Sequence, residues 1–284
     1  MNVKPFLQLG KPQITLPVTL SALTGFVLFR ESLAWPMLAV LAGVLLLSAS
    51  SSVINAIQEV RTDRLMNRTR HRPIPSGEIT KTTAWVISGV LGLAGTWLLW
   101  TFGGPLPATL GFFALFWYNG VYTPLKKHTA FAVVPGSLVG ALPPVIGWTA
   151  AGGELWHPHI MMVAFFFFVG QIPHFWLILL KHGPDYENAG FPTLSGVFSH
   201  GQQKALTLGW IAATAMSALL LPLFGAISTH FFSVALLLAT LALLFSFFLW
   251  FKQKDPAHTG VAFHSINFFY LLVMLALIGD ALVR

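Results

Sequence analysis

Nine apolar stretches, near residues 14–34, 36–58, 82–102, 106–123, 130–150, 158–181, 205–225, 231–251 and 263–283, take up nearly all of this 284-residue chain. Each is close to the roughly 20 apolar residues that a helix needs to cross the hydrocarbon layer of a bilayer. Hydrophobic residues make up 55% of the chain and charged residues only 9%, with a mean hydropathy of +0.73. Such values mark a polytopic membrane protein rather than a large soluble core. The expected architecture is therefore all-α and integral to the membrane, with nine transmembrane helices. The spans leave no room for a separate soluble domain, so residues 1–284 read as one polytopic domain. The first thirteen residues are too short and too weakly basic for a transit peptide, no cleavable signal is expected to follow them, and the first span is expected to be retained.

The charges give this bundle an orientation. With nine spans, Lys4, Lys11, the 59–81 loop, Lys126, Lys127, Lys181, Lys204, Lys252 and Lys254 fall on one side, and they account for 14 of the 16 Lys and Arg residues. Only Arg30 and Arg284 fall on the other. The positive-inside rule then predicts a cytoplasmic N-terminus and a C-terminus outside. The net charge of +7 reflects this topology and does not call for nucleic acid. With no cysteine, thiol nucleophiles, disulfides and thiolate metal centres are excluded.

Two loops on the basic side stand out, at about 55–81 and 181–204. The first holds Asn55, Glu59 and Asp63 at i, i+4 and i+8. On a helix these drift by only about 40° per step over a rise of about 12 Å, so three oxygen-bearing side chains share a face. Carboxylates this close repel and take up protons unless a cation sits among them. Mg²⁺ suits them, because it binds few protein carboxylates and completes its shell with water and phosphate oxygens. Arg64, Arg68 and Arg72 also recur every four residues, and their planar forks would grip phosphate. The competing reading is a salt-bridged juxtamembrane surface with topology-anchoring arginines. Polar Asn55 and Glu59 at the membrane edge, where such groups are costly, favour the functional reading. In the second loop Asp185 and Glu187 are two residues apart and diverge on a helix. Gly183-Pro184 points to a broken helix end, and Asp185 is the candidate that faces the first loop.

At these residues the chain resembles the intramembrane prenyltransferases of the UbiA superfamily, and within it the protoheme IX farnesyltransferases (heme O synthases). The resemblance runs in order through Lys11-Pro12, Asn55 to Pro73 and Tyr122-Thr123-Pro124-Leu125-Lys126-Lys127. It continues through Gly136 to Trp148 with its Pro143-Pro144-x-Ile146-Gly147-Trp148 core, Gln171-x-Pro173-His174, and Asp185-Tyr186-x-x-Ala189-Gly190-x-Pro192. The first motif is general to the superfamily; the later segments point to the heme branch. One position departs from the pattern. The family's middle acid is Asp, and here it is Glu59.

The resemblance implies a UbiA-type bundle of nine helices with an active site toward the cytoplasm of a prokaryotic plasma (inner) membrane. It implies Mg²⁺ held by Asn55, Glu59, Asp63 and Asp185, and a diphosphate held by Arg64, Arg68, Arg72, Lys126 and Lys127. Tyr118, Asn119 and Tyr122 precede the lysine pair and would line the site. The donor would be farnesyl diphosphate and the acceptor a vinyl group of heme B, a substrate and not a cofactor. Heme A synthase or oxidase assembly proteins would be partners. His174 follows Pro173 inside a span, eleven residues before Asp185, which on a continuous helix is about 16 Å away on nearly the same face. It is the candidate heme-iron ligand; the other reading is a buried histidine bonded to a neighbouring helix. Two alternatives stand beside this function. One is a UbiA-family enzyme prenylating an aromatic quinone precursor or a lipid alcohol. The other is a non-catalytic heme-handling or transport protein of the same fold. The run Phe165-Phe166-Phe167-Phe168 circles its helix, and most of these rings are expected to face lipid rather than line a cation tunnel.

Overall fold

All regular structure in the computed structural model, which describes residues 4–253 and 258–284, is helical. Lys254, counted above among the basic-side charges, lies outside the described residues. In chain order the elements are α1 (Lys4–Gly10), α2 (Pro12–Arg30), α3 (Trp35–Gln58), α4 (Val60–Leu65), α5 (Lys81–Gly103) and α6 (Pro105–Phe116). A π-helical stretch (Trp117–Tyr122) follows, then α7 (Thr123–Leu125), α8 (Val133–Gly136), α9 (Leu138–Ala150) and α10 (Pro158–Asn188). The chain closes with α11 (His200–Leu220), α12 (His230–Lys252) and α13 (His258–Val283).

Local chemistry sets several of these limits. Proline occupies the first turn of α2, α3, α6 and α10, where its missing N–H costs nothing. Thr80 caps α5 by accepting from Thr83 N at 3.1 Å, and Ser199 with Gln202 forms a capping box at α11.

Among the described residues, seven helical segments are long and apolar enough to cross a membrane: α2, α3, α5, Ala130–Ala150, α10, α12 and α13. Two of the nine expected stretches fall outside this set for physical reasons. In the fourth, α6 gives way to the π-helical stretch after twelve residues. In the seventh, α11 begins at His200 and carries polar Gln202, Gln203 and Lys204 in its opening turns.

Helices α2 and α9 pack almost backbone to backbone. A Cβ on Gly25 would meet Pro144 O at 1.8 Å, and one on Gly147 would meet Ala22 O at 1.8 Å. Small residues at crossing points allow this kind of approach in membrane bundles. Around the contact, Phe26, Val40, Trp148, Phe166 and Ile266 join one apolar core drawn from α2, α3, α9, α10 and α13. The expectation for the phenylalanine run is half corrected here. Phe165 is exposed, but Phe166 and Phe167 are buried, because α10 is flanked on several sides and has two inward faces.

A second apolar cluster positions the site. Leu9 of α1 packs with Val53, Ala56 and Ile57 of α3 and with Ile74, Ile79 and Ala84 further on. It ties the residues before α2, and the turns after α4, to the end of α3.

Candidate active site

Helix α3 ends at Gln58, and Glu59 leaves helical geometry at φ −102°, ψ 4°. The hydrogen-bond ladder nevertheless runs on: Glu59 N donates to Asn55 O at 3.0 Å and Asp63 N to Glu59 O at 2.7 Å. The four-residue spacing therefore survives the break, and Asn55, Glu59 and Asp63 all open onto one cavity of about 170 Å³. All three are buried, Asp63 completely.

After Leu65 the chain turns back on itself. Met66 is extended (φ −93°, ψ 128°), and a series of turns follows, with Arg72 N donating to Thr69 O at 3.0 Å and Ser76 N to Arg72 O at 2.9 Å. The buried Thr69 hydroxyl donates to Asp63 O at 2.9 Å and fastens the curl. This returns Arg72 to the acid it follows in sequence. Its Nη1 donates to both Asp63 carboxylate oxygens, at 3.0 and 2.9 Å.

The other donors are paired in the same way. Glu59 forms an ion pair with Lys126, and Asn55 Oδ1 accepts from Lys11 Nζ at 2.8 Å. The Asn55 amide nitrogen donates to Thr123 Oγ1 at 3.3 Å, which leaves the carbonyl oxygen directed at the cavity. Burial works to raise the Glu59 pKa, but Lys126, aided by Lys11 and Arg72, holds its carboxyl below the usual range. Burial also works to lower the Lys126 pKa, and Glu59 more than offsets it, so the net shift is upward. For Lys11 burial wins. Together with the nearby Arg72 charge it brings this ammonium down to about 7.

The second loop closes the cavity from the side. Tyr186, Phe191 and Pro192 line it, and Tyr186, Ala189 and Phe191 pack on Met66 of the first loop. Asp185 is half-buried and accepts from Arg68 N at 3.4 Å. Glu187 points elsewhere: it is exposed and accepts from Thr193 Oγ1 at 2.9 Å and from the Ser195 hydroxyl, beside a separate cavity between α10 and α11. Helix α10 runs past Gly183-Pro184 to Asn188 but is kinked at His182 (φ −122°, ψ 20°). Pro184 has no N–H with which to continue the ladder there.

The structure brings Asn55, Glu59, Asp63, Arg68, Arg72 and Lys126 together around one cavity, with Asp185 at its rim. Two expected residues are corrected. Arg64 is exposed and does not line the cavity, because α4 ends one residue later and the 64/68/72 spacing never becomes a helical face. Lys127 is exposed as well, with Nζ 3.5 Å from Gln58 O, since it points away from its neighbour Lys126. Tyr118 and Tyr122 line the cavity, whereas Asn119 turns away and donates to Ser51 Oγ at 2.8 Å. His174 has Asn267 of α13 beside it, its ring centroid lies 5.0 Å from that of Phe263, and its buried Nδ1 has no partner. It neighbours Phe175, a cavity residue, without lining the cavity itself. Lys11 is the site residue to which sequence reasoning gave no role. Its only signal was the Lys-Pro pair before the first span.

The donor chemistry fits a metal shared with a substrate. Among the described residues no three His, Cys, Asp or Glu side chains converge as a ready-made cage. Two carboxylates and one amide oxygen on one face suit Mg²⁺, which leaves most of its shell to water and phosphate. Four cationic side chains, Lys11, Arg68, Arg72 and Lys126, share the cavity, and they suit a polyanion.

An integral membrane bundle of helices that ends in such a cavity defines the class: a protein handling a polyanionic substrate at the membrane edge. The chain belongs to the UbiA prenyltransferase family, whose match spans residues 16–273. It is 41% identical over 220 residues to a protoheme IX farnesyltransferase of Geobacter sulfurreducens, covering 77% of this chain and 81% of that one. It is 38% identical to one of Oleidesulfovibrio alaskensis, over 94% of this chain and 92% of the relative. The structure of a UbiA homolog from Archaeoglobus fulgidus bound to GPP and Mg²⁺ superposes with a TM-score of 0.72 at 16% identity, over 99% of this chain and 100% of that one. At that identity the match speaks for the fold.

Proposed function

We propose that this protein is an Mg²⁺-dependent protoheme IX farnesyltransferase, moving a farnesyl group from farnesyl diphosphate to a vinyl group of heme B to give heme O and diphosphate. The observation that carries the reading is the cavity in which buried Asn55, Glu59 and Asp63 face Arg68, Arg72 and Lys126. The acceptor rests on the protoheme IX farnesyltransferases that the chain resembles over most of its length.

Allylic diphosphates react by ionisation, so the protein's main task is to stabilise the leaving diphosphate. Mg²⁺ held by Asn55, Glu59, Asp63 and, from the rim, Asp185 would neutralise charge on the diphosphate oxygens. Arg68, Arg72 and Lys126 add hydrogen bonds to the same oxygens. The vinyl π electrons then attack the farnesyl cation, and water adds to the porphyrin-side cation with loss of a proton. No strong base is needed. His174 is the heme-iron ligand in this reading. The unpartnered Nδ1 leaves it a ring nitrogen with which to ligate.

The same reading takes the bundle as a single nine-span domain in a prokaryotic plasma membrane, N-terminus and site toward the cytoplasm. The distribution of Lys and Arg supports it. Heme A synthase or oxidase assembly proteins would receive the product. The deciding experiment incubates the purified protein with farnesyl diphosphate, heme B and Mg²⁺ and reads the heme by mass spectrometry. Farnesylated, hydrated heme is the expected product. Unchanged heme together with prenylation of a hydroxybenzoate or naphthoate would move the chain to the quinone branch.

A further inference from the structure

Lys11 has three properties that a simple tie between helices does not require. Its backbone is left-handed at φ 49°, uncommon for a residue other than glycine. Such strain persists where the surroundings over-determine it, often at functional sites. The surroundings here are Leu9, buried against α3 on one side, and the first turn of α2, with Pro12, on the other. Second, Lys11 lines the same cavity as Arg68, Arg72 and Lys126, so four cationic side chains face two carboxylates there. Third, its ammonium takes the one oxygen that Asn55 offers the cavity, while the Asn55 nitrogen is held by Thr123.

With Arg72 on Asp63 and Lys126 on Glu59, every candidate metal donor of the first motif holds one cationic side chain. A metal ion arriving alone would have to evict all three, leaving them crowded and without partners. A diphosphate arriving with the metal gives each of them a phosphate oxygen in exchange. We propose that Lys11 is a diphosphate-binding residue that holds Asn55 Oδ1 until the diphosphate draws its ammonium away, so that metal and diphosphate bind together or not at all. This rests on the metal and diphosphate assignments above and adds a residue and an order of assembly to them.

The test uses the full chain in detergent, with Mn²⁺ as the metal probe read by electron paramagnetic resonance and inorganic pyrophosphate as the anion probe read by calorimetry. In the wild type, pyrophosphate is expected to tighten Mn²⁺ binding at least about tenfold, a coupling free energy that must be reciprocal. Mn²⁺ binding of equal strength with and without pyrophosphate overturns the proposal without any variant. Lys11→Met keeps length and backbone strain and removes the charge. It should weaken pyrophosphate binding about tenfold while Mn²⁺ alone binds more tightly, and Lys11→Arg should restore most of the pyrophosphate affinity. A Lys11→Met protein that binds pyrophosphate like the wild type overturns the role of Lys11 and leaves the donor site standing. A wild type that binds no pyrophosphate at any Mn²⁺ concentration overturns both.

Discussion

The loops after α3 and α10 carry similar letters and are built differently. Each runs from carboxylates to a proline within about ten residues. In the first, Asp63 and Thr69 are fully buried, Arg72 is fastened to Asp63 by two hydrogen bonds, and the turns rest on the apolar cluster around Leu9 and Val53. In the second, Asp185 is half-buried and reaches the first loop through one long bond to a backbone N–H, while Glu187 spends its oxygens on surface hydroxyls. The first loop is a fixed cradle and the second a rim laid against it. A fixed donor set gives positional accuracy to electrostatic stabilisation.

Substitutions can break this contrast or sharpen it. The largest effect is expected for Asp63→Ala. It removes a donor from the cradle and leaves Arg72 without its partner, so the turnover rate with farnesyl diphosphate should fall at least about 10³-fold in a protein that still elutes as a folded species. Transfer within about tenfold of wild type would mean that the cradle is not where the metal is held. Asp185→Ala should cost less, about 10–100-fold, with a visible part in the Mg²⁺ requirement, because the rim carboxylate completes a site already formed. Loss equal to that of Asp63→Ala would erase the distinction between the loops. The smallest effects test the arginines. Arg68→Ala should raise KM for farnesyl diphosphate about tenfold, and Arg64→Ala should leave it within about twofold, as for an exposed charge. Equal effects from the two would restore the helical ladder that the structure breaks at Leu65.

These contrasts also show what could be read in advance. Asn55, Glu59 and Asp63 were legible because one turn of the hydrogen-bond ladder carries their four-residue spacing past the end of α3. Arg64 failed by the same rule, since its spacing to Arg68 and Arg72 has meaning only on a helix that continues. Lys11 carries no spacing signal at all. It joins the site through the packing of α1 on α3, a long-range contact that no local pattern encodes. The helical class was legible from apolar runs alone. The burial of Phe166 and Phe167 was not, because it depends on how many neighbours α10 acquires.

The π-helical stretch at Trp117–Tyr122 has a consequence for the lysine pair that follows it. Successive residues of an α-helix are rotated by about 100°, so one residue accommodated in a wide turn resets the phase of everything downstream. Lys126 faces Glu59 and Lys127 faces outward only at the phase this turn sets. The choice between two chemically identical neighbours is thus made some five residues upstream. Were the same residues to close into an α-turn instead, the pair would rotate by about 100° and Lys126 would leave Glu59.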